Sequence, residues 1–518
     1  MNLHAVKTAL HHGGRAALRC VVRRPVCIAL AACVTVAGGV SAQATPTSRS
    51  THHQYRVIVL PVDGGADSFL AGYLFYAPLN HRGTIGVLGD TGTPGVFNSY
   101  TWTAGRQTDL QPLPPLGDFS GSSTFINWVN QWGLSAGFAT RTDASTSVSV
   151  DNAVIWTPDG KAHDLVGRSN TESHAVWVND LGEVSGWLAS TTPDPCSFGS
   201  SFAQTEGFIW QFGTLRRLGT LGGTDTYGEF INDLGQVSGH SQTSDISDPT
   251  SGCPPFDPFI WQDGIMKDIN PGNFGGTQGG TNFLNNRGDA VGFGTTPGEA
   301  GFHPFLWRHD KITDLNSIGT LGGSSNSAFN VNEFGHVIGI NSTADESAIH
   351  AVLWRDQTFT DLSTLSGDDC SEAFRINNDD QIVGISFSCE TGATHAVIWE
   401  NGEMVDLDTL IPSNAPVELT SANWISDDGV IAAQGILLAG SNMGATRAVL
   451  LIPTGECDAA AQAASALNRA AARASADSVA GAPSKGALSA PGGRANSMLF
   501  KPFSPAALRS KVQSAPRP

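Results

Sequence analysis

Three histidines occupy equivalent positions in this 518-residue chain, each four residues before a tryptophan: His303, His350 and His395. Imidazole nitrogens are common zinc ligands, but they must converge to about 2.0–2.1 Å from a single ion. Other copies of the same position hold residues that do not preserve a zinc ligand set, namely Asp257, Glu206, Asn152 and Asn98. We therefore interpret the histidines as polar strand starts and predict no metal site.

Turns of the type Asn-Asp-x-Gly, as at residues 232–235, could in principle bind calcium, because amide and carboxylate oxygens are calcium ligands. Their spacing differs from the twelve-residue calcium loop, which ends in a glutamate. Asparagine side chains that hydrogen-bond within their own turn explain the pattern more simply. We predict a structural role for these turns.

Tryptophan could stack on sugar rings. Seven tryptophans recur at one position, and an eighth copy carries Leu451: Trp102, Trp156, Trp210, Trp261, Trp307, Trp354 and Trp399. Because a buried tryptophan removes a large apolar area from water, we predict that this set forms the core between repeats. The tryptophans away from that position are better candidates for exposure, with local packing as the alternative for most of them: Trp128, Trp132, Trp177, Trp187 and Trp424.

These residues belong to a repeat. The turn asparagines are Asn80, Asn130, Asn179, Asn232, Asn285, Asn332 and Asn377, with Ser426 in the last copy. Successive tryptophans are 54, 54, 51, 46, 47 and 45 residues apart, followed by 52 to Leu451. Propeller repeats with one four-stranded blade per unit run about 40–50 residues.

Each repeat is predicted to hold four short strands. The asparagine turn joins the first two strands, the tryptophan lies on the third, and a turn such as Asp-Gly at 263–264 or Asn-Gly at 401–402 leads to the fourth. Glycine ends most asparagine turns, where we expect a left-handed backbone, and Asp380 takes that place in one copy.

The two ends of the repeat region complement each other. Residues 55–60 fill a fourth-strand position, and residues 448–452 fill a third-strand position. We predict that they pair and close an all-β propeller of eight four-stranded blades over residues 55–457, which removes exposed strand edges. Seven blades is the first alternative, and an open solenoid with polar caps is the second.

The repeated strings are similar to those of the HAF-repeat family of probable extracellular bacterial proteins. Leu-Gly-Thr-Leu-Gly-Gly-Thr at 218–224 returns as Ile-Gly-Thr-Leu-Gly-Gly-Ser at 318–324, and His-Ala-Val-(Leu/Ile)-Trp occurs at 350–354 and 395–399. The resemblance covers about residues 55–452. It implies a secreted β-propeller-like repeat protein, and it brings no catalytic residues to carry over.

The first 42 residues are predicted to be a signal peptide, because a basic start precedes an apolar run from Val26 to Val40 and a Val-Ser-Ala cleavage site. A lipobox ending at Cys33 is the alternative, which would make a lipoprotein. Residues 43–54 are predicted to be a linker. Residues 458–518 lack Trp, Tyr, Ile and Cys, so we predict a disordered Ala/Ser/Pro/Arg-rich tail.

Five cysteines lie outside the signal peptide. A two-residue turn at 379–380 would place Asn378 opposite Gln381 and Cys370 opposite Cys389, within disulfide range. Cys196 and Cys253 lie in the same insertion of neighbouring repeats and are a second disulfide candidate, which leaves Cys457 over. Disulfides fit an extracellular or periplasmic protein.

Residues 43–457 hold 16 Lys and Arg against 45 Asp and Glu, a net charge of −29. Such a surface repels nucleic acid and anionic lipid, so we discount both as partners. After signal removal we expect no transmembrane segment.

No Gly-x-Ser-x-Gly elbow, Walker loop or His-Glu-x-x-His helix occurs in the repeats. We predict no catalytic residues and no cofactor, and favour a secreted, non-enzymatic scaffold that binds a glycan or protein. The insertions at 187–206 and 240–257 are the expected contacts on one face. One alternative is a hydrolase or lyase with carboxylates about 5–10 Å apart in a central channel. The other is a structural envelope protein.

Overall fold

The computed structural model describes residues 52–62, 64–72, 76–116, 119–143, 145–167, 171–196, 203–244, 252–269 and 274–454. The predicted signal peptide with Cys33, the linker up to residue 51, Cys457 and the tail at 458–518 lie outside these residues. Among the described residues, no helix is both long and apolar enough to cross a membrane.

The described residues form short strands, with three brief 3-10 helices at Pro297–Glu299, Leu315–Ser317 and Leu407–Leu410. The strands of the first half are β1 (Tyr55–Val59), β2 (Ser68–Leu70), β3 (Ile85–Asp90), β4 (Phe97–Thr103), β5 (Arg106–Asp109), β6 (Phe119–Val129), β7 (Ser135–Asp143), β8 (Ser149–Trp156), β9 (Ala162–Asp164), β10 (Ser173–Val178), β11 (Val184–Pro193), β12 (Ala203–Gln211), β13 (Thr214–Arg217), β14 (Thr226–Ile231), β15 (Val237–Gln242), β16 (Phe256–Gln262) and β17 (Ile265–Asp268).

The second half continues the same pattern of strands: β18 (Gly279–Leu284), β19 (Ala290–Thr295), β20 (Phe302–Arg308), β21 (Lys311–Asp314), β22 (Gly322–Val331), β23 (Val337–Thr343), β24 (Ile349–Arg355), β25 (Thr358–Asp361), β26 (Cys370–Ile376), β27 (Ile382–Phe387), β28 (Thr394–Glu400), β29 (Glu403–Asp406), β30 (Val417–Ile425), β31 (Ile431–Leu437) and β32 (Thr446–Pro453).

Within the described residues the strands form six four-stranded sheets and one eight-stranded sheet. The larger sheet consists of two antiparallel meanders, β18–β21 and β22–β25, joined by a single parallel bridge between Phe302 and Ser325. The predicted all-β propeller fold is confirmed. Counting each meander as one blade gives the expected eight, but two of them share a sheet, so the blade number stays a prediction.

The predicted pairing of the two chain ends is present. β1 lies antiparallel to β32, with Tyr55 opposite Pro453 and Val59 opposite Val449, and completes the last blade, β30–β31–β32–β1. The last blade also contacts the first, because the backbone N–H of Leu70 donates to Gln434 Oε1 at 3.0 Å. An otherwise exposed strand edge is thereby covered.

The repeated tryptophans lie on the third strands and are buried, except Trp210, which is partly buried and packs against the core. The predicted core role is confirmed. Of the five tryptophans expected to be exposed, only Trp132 is, at 61%. The other four are 9% exposed or less, which agrees with the alternative of local packing. Trp128, Trp177 and Trp424 lie on innermost strands packed around the propeller centre, whereas Trp187 lies on the second strand β11 and stacks on His174 with ring centroids 4.4 Å apart.

Both predicted disulfides are formed, Cys196–Cys253 and Cys370–Cys389, with Cα atoms 5.5 and 5.7 Å apart. The predicted register is wrong, since Cys370 lies opposite Phe387. The turn between the strands is longer than assumed, and β26 contains a bulge between Ala373 and Arg375. The two disulfides indicate an oxidising compartment.

The Cys196–Cys253 disulfide links the connections between the second and third strands of two neighbouring blades. In a meander, successive connections alternate between the two ends of the sheet, so these insertions lie on the face opposite the asparagine turns. We call the side with the asparagine turns the turn face and the opposite side the loop face.

Candidate ligand-binding site

A belt of side-chain hydrogen bonds connects the asparagine turns on the turn face. Each belt asparagine donates from Nδ2 to the backbone carbonyl of its counterpart in the next blade, at 2.7–3.1 Å: Asn80 to Asn130, Asn130 to Asn179, Asn179 to Asn232, Asn232 to Asn285, Asn285 to Asn332, Asn332 to Asn377, and Asn377 to Ser426. The belt fixes neighbouring blades to one another around the centre.

The same asparagines organise their own turns, as predicted. Asn232 Oδ1 accepts hydrogen bonds from the backbone N–H groups of Leu234 and Gln236, at 3.1 and 3.0 Å. The glycines that end these turns have φ between 73° and 85°, and Asp380 has φ 59°, which confirms the expected left-handed backbone. A calcium role is not needed to explain the turns.

The residue after each belt asparagine forms a second ring, nearer the centre. Its backbone N–H donates to a side-chain oxygen of its counterpart in the next blade, as in Gln131 to Asp180 (2.8 Å) and Asp180 to Asp233 (2.8 Å). In the following blades, the side chains that accept this hydrogen bond are those of Asn286, Glu333, Asn378 and Asp427. This second ring therefore brings four carboxylates together, those of Asp180, Asp233, Glu333 and Asp427.

Inside the second ring lies a central cavity of ≈ 230 Å³ that opens on the turn face. Its wall contains side chains from inner strands of five blades, each located two residues before a belt position: Trp128, Trp177, Phe283, Arg375 and Trp424. The rings of Trp128 and Trp177 are stacked with centroids 3.7 Å apart, and Trp128 also meets Trp424 edge-on at 4.8 Å. The second-ring carboxylates line the mouth.

Bulges explain why these side chains converge. Each innermost strand from β6 to β30 skips one residue near its C-terminal end in its pairing with the neighbouring strand, and β6, β22 and β30 have a second irregularity earlier. The residue directly after the skipped one near the C-terminal end faces the centre. Tyr76 packs behind the aromatic wall. Its hydroxyl lies within hydrogen-bond distance of two carbonyl oxygens, those of Asn282 (2.8 Å) and Phe329 (2.6 Å), which share its one hydrogen.

Arg375 is the one arginine or lysine among the described residues that line the cavity, and His81 is the one histidine. The guanidinium of Arg375 lies 4.1 Å from the ring centroid of Trp424 and 4.9 Å from that of Phe283. Nη1 donates to Asn330 Oδ1 at 2.8 Å, whereas the buried Nε has no hydrogen-bond partner within the described residues. Burial lowers the pKa of Arg375 to about 10, and the charges of Asp427 and Glu333 oppose that shift.

Negative charge accumulates at the mouth. Burial raises the pKa of Asp180 above its ordinary value, and the nearby charge of Asp233 acts in the same direction. Burial also raises the pKa of Glu333. The charges of His81 and Arg82 oppose the shift at Asp180, and Arg287 Nε lies 3.8 Å from Glu333. Asp233 and Asp427 form no ion pair within the described residues, and with the repeat region's net charge of −29 the mouth attracts cations.

The structure places the predicted candidate residues elsewhere. His303, His350 and His395 each bond an aspartate, with Nδ1–O distances of 3.0–3.1 Å to Asp314, Asp361 and Asp368. The described residues contain one cluster with possible metal-ligand geometry, Asp369 with Cys370 and Cys389, whose sulfurs form the disulfide. The described ends of the insertions expected to bind a partner, with Cys196 and Cys253, lie on the loop face, away from the cavity.

Sequence analysis missed the cavity, although a pattern for it exists. Aromatic residues or arginine stand two residues before the turn position in six repeats: Trp128, Trp177, Phe230, Phe283, Arg375 and Trp424. The alternation of a regular strand would not place these residues at the centre. Only the bulges bring them there.

No protein-family model matches the chain, and no curated protein matches its sequence significantly. Similar backbones occur in the β-propeller domain of the Trilobed protease from Pyrococcus furiosus (10% identity, 65% of this chain and 96% of that chain, TM-score 0.38). They also occur in an acylaminoacyl peptidase from Pyrococcus horikoshii (10% identity, 73% and 59%, TM-score 0.37).

A third similar structure is the polysaccharide lyase Uly1 (9% identity, 78% of this chain and 100% of that chain, TM-score 0.32). The chain thus spans less than two thirds of the acylaminoacyl peptidase. At these identities and TM-scores the similarities carry no argument about ligand or reaction, which must come from the cavity itself.

Proposed function

We propose that this protein is a secreted, non-enzymatic binding protein whose central cavity receives a basic side chain of a peptide or protein ligand. The observation that carries the proposal is an aromatic-walled cavity whose mouth is ringed by four carboxylates, in a part of the chain with a net charge of −29. The methylene stem of a lysine or arginine would pack on the wall while its charged head lies among the carboxylates.

The hydrogen bonds of the second ring do not require negatively charged side chains. The second ring needs only an acceptor oxygen at each position, and the amides of Asn286 and Asn378 supply one. Glu333 already pairs with Arg287 at 3.8 Å. Carboxylates at Asp180 and Asp233 add charge that the hydrogen bonds between blades do not need. A ligand cation would account for that charge.

Arg375 shows that the cavity accommodates a guanidinium, held over Trp424 beneath Glu333 and Asp427. On the other side of the cavity, no cation of the described residues lies over Trp128 or Trp177. Asp180 and Asp233 line the mouth on that side. This half of the cavity is the proposed position of the ligand's basic group.

The test compares an arginine-containing tripeptide, acetyl-Gly-Arg-Gly-amide, with its neutral citrulline analogue by titration calorimetry on the full chain. We expect the arginine peptide to bind more tightly, and to weaken in about 1 M salt, where the Debye length is about 3 Å. Because bound cations favour ionised carboxylates, the affinity should rise with pH through the raised pKa values of Asp180 and Glu333.

Asp233→Asn keeps an acceptor oxygen for the second ring and removes one charge, so we expect affinity to fall by about threefold to fivefold. The matched control is Asp345→Asn, which removes an exposed charge between β23 and β24 on the loop face. Equal affinity of the arginine and citrulline peptides would contradict the proposal.

A hydrolase or lyase acting through these carboxylates is the second candidate, because Asp180 and Asp233 are close enough for the charge of one to raise the pKa of the other. Each already accepts a backbone N–H from the preceding blade, which gives it a structural role. Turnover of a polysaccharide that Asp233→Asn abolishes would favour this candidate. Membership of the HAF-repeat family remains a prediction alongside both.

A further inference from the structure

A second surface surrounds the cavity mouth. The position two residues after each belt asparagine points into solvent, and in four blades it is a large apolar residue: Trp132 (61% exposed), Leu181 (57%), Leu234 (55%) and Phe334 (56%). We call these four residues the apolar ring. Phe212 (83%) and Ile265 (73%) extend it outward, at the turns between third and fourth strands of the same face.

The turns do not require apolar residues at this position. Other blades place Arg82, Arg287, Asp379 and Asp428 there, all exposed. Two of the ring residues carry arginine side chains on their rings, Arg82 on Trp132 at 4.4 Å and Arg287 on Phe334 at 5.7 Å. Clustered exposed apolar side chains around a polar centre are typical of an interaction surface.

We propose that the apolar ring and the acidic mouth dock the chain's own segment 494–511. This segment carries Arg494, Lys501, Arg509 and Lys511 with no acidic residue, and its apolar residues are Met498, Leu499, Phe500, Phe503 and Leu508. Its charge complements the carboxylates of the mouth, and its apolar residues match the ring. The other acidic residues of the repeat region, whose net charge is −29, also attract this basic segment.

The path of the chain supports this occupant. β32 ends at Pro453 on the turn face, where a Cβ on Gly429 of the last turn would lie 3.6 Å from Pro453 Cγ. The third strand of a blade lies two strand spacings, about 10 Å, outward of the innermost strand. A random coil as long as residues 455–493 has a root-mean-square end-to-end distance of about 35 Å, so segment 494–511 can reach the mouth.

Docking covers the cavity that we propose as the ligand site, so segment 494–511 competes with a ligand in trans. This regulation rests on the proposed function, whereas the docking itself does not. A basic, partly apolar ligand would displace the segment by occupying the same carboxylates.

The experiment measures chymotrypsin cleavage after Phe503 in the full-length protein. Docking should slow cleavage, because the protease acts on the undocked population. In Trp132→Ser/Leu234→Ser/Phe334→Ser we expect cleavage about tenfold faster than in the wild type. The matched control, Val148→Ser/Leu438→Ser/Met443→Ser, removes three exposed apolar residues of the loop face and should cleave like the wild type.

A second variant leaves the propeller untouched. Arg494→Gln/Lys501→Gln/Arg509→Gln/Lys511→Gln should also be cleaved about tenfold faster, and the wild type should lose its protection in about 1 M salt. If the variant of the apolar ring fails to fold, this tail variant still tests the docking. Equal cleavage of the wild type and this variant overturns the proposal, as does protection that grows with protein concentration, which would mean docking between copies.

Failure of the docking is separable from failure of the proposed function. If segment 494–511 is unprotected while the arginine tripeptide still binds better than the citrulline peptide, the docking is wrong and the function stands. If the segment is protected and neither peptide binds to the tail variant, the docking stands without the proposed ligand.

Discussion

The side-chain amide of Asn285 donates a hydrogen bond of 2.9 Å to the backbone carbonyl of Asn332, its counterpart in the next blade. Asn285 Oδ1 at the same time accepts from the N–H groups of Arg287 and Asp289, at 3.0 and 2.8 Å. One buried side chain therefore closes its own turn and joins it to the neighbour. Repetition of this arrangement in seven turns explains why the asparagine recurs at a nearly fixed period.

Asn285→Ala should lower the free energy of unfolding by about 3 kcal/mol, because it leaves buried backbone groups without partners. Ser426→Ala is the matched control at the equivalent turn, where the hydroxyl accepts from one N–H of the described residues, that of Val430, at 3.1 Å. We expect it to cost about 1 kcal/mol. Urea denaturation measures both, and equal losses would contradict the role of the belt.

Tyr55 opens the strand that joins the two chain ends, and its side chain is fully buried. Its hydroxyl has no hydrogen-bond partner in the described residues, and burial raises its pKa above the ordinary range. Tyr55→Phe should therefore leave stability unchanged or raise it by up to about 1 kcal/mol. Tyr55→Ala should cost about 3–5 kcal/mol through the cavity it creates. A destabilising Tyr55→Phe, in thermal unfolding, would show that the hydroxyl is needed.

The two disulfides should contribute unequally to stability. Cys196–Cys253 closes a separation of 57 residues and Cys370–Cys389 one of 19. The chain-entropy estimate gives about 4 and about 3 kcal/mol respectively. Paired Cys→Ala variants, compared by urea denaturation, should show the larger loss for Cys196–Cys253. The reverse order would mean that native contacts, not loop length, determine the contribution.

The fold could be predicted because its determinants are local and repeated. Turn asparagines, left-handed glycines and Asp-Gly or Asn-Gly turns fix each hairpin within a few residues, and the strand formed by residues 55–60 lacked a partner that only residues 448–452 could supply. The register around Cys370 was wrong by two residues, one from a turn in which Asn377 lies opposite Gln381 and one from the bulge in β26, which leaves no mark in the sequence.

The cavity could not be predicted for a similar reason. Trp128, Trp177 and Trp424 appeared as tryptophans outside the repeated position, so the sequence left both exposure and local packing open for them. Their burial depends on bulges in different blades that turn the residues toward a common axis. That convergence is a property of the whole ring. The apolar ring, by contrast, lies at a fixed distance from each asparagine and was available from the sequence.

Two buried titratable groups should give stability opposite dependences on pH. Burial lowers the pKa of His174 to about 4, below the value of about 6.5 expected in the unfolded chain. The unfolded state therefore binds more protons between these values, and the contribution of His174 is lost as pH falls. His174→Phe should remove this loss. The unfolding temperature of the variant minus that of the wild type should therefore be larger at pH 4.5 than at pH 7.

Burial raises the pKa of Glu372 to about 7, whereas an unfolded glutamate has a pKa of about 4.3. The native state keeps the proton that the unfolded state loses, so the contribution of Glu372 is complete below about pH 4.3 and is lost as pH rises through about 7. Glu372→Gln cannot ionise at this position. Its free energy of unfolding relative to that of the wild type should therefore rise by on the order of 3 kcal/mol as the pH increases from 5 to 8. Exposed Glu390→Gln is the control and should show no such gain in thermal unfolding. An unchanged difference between Glu372→Gln and the wild type across this range would mean that the carboxyl ionises normally in the folded protein.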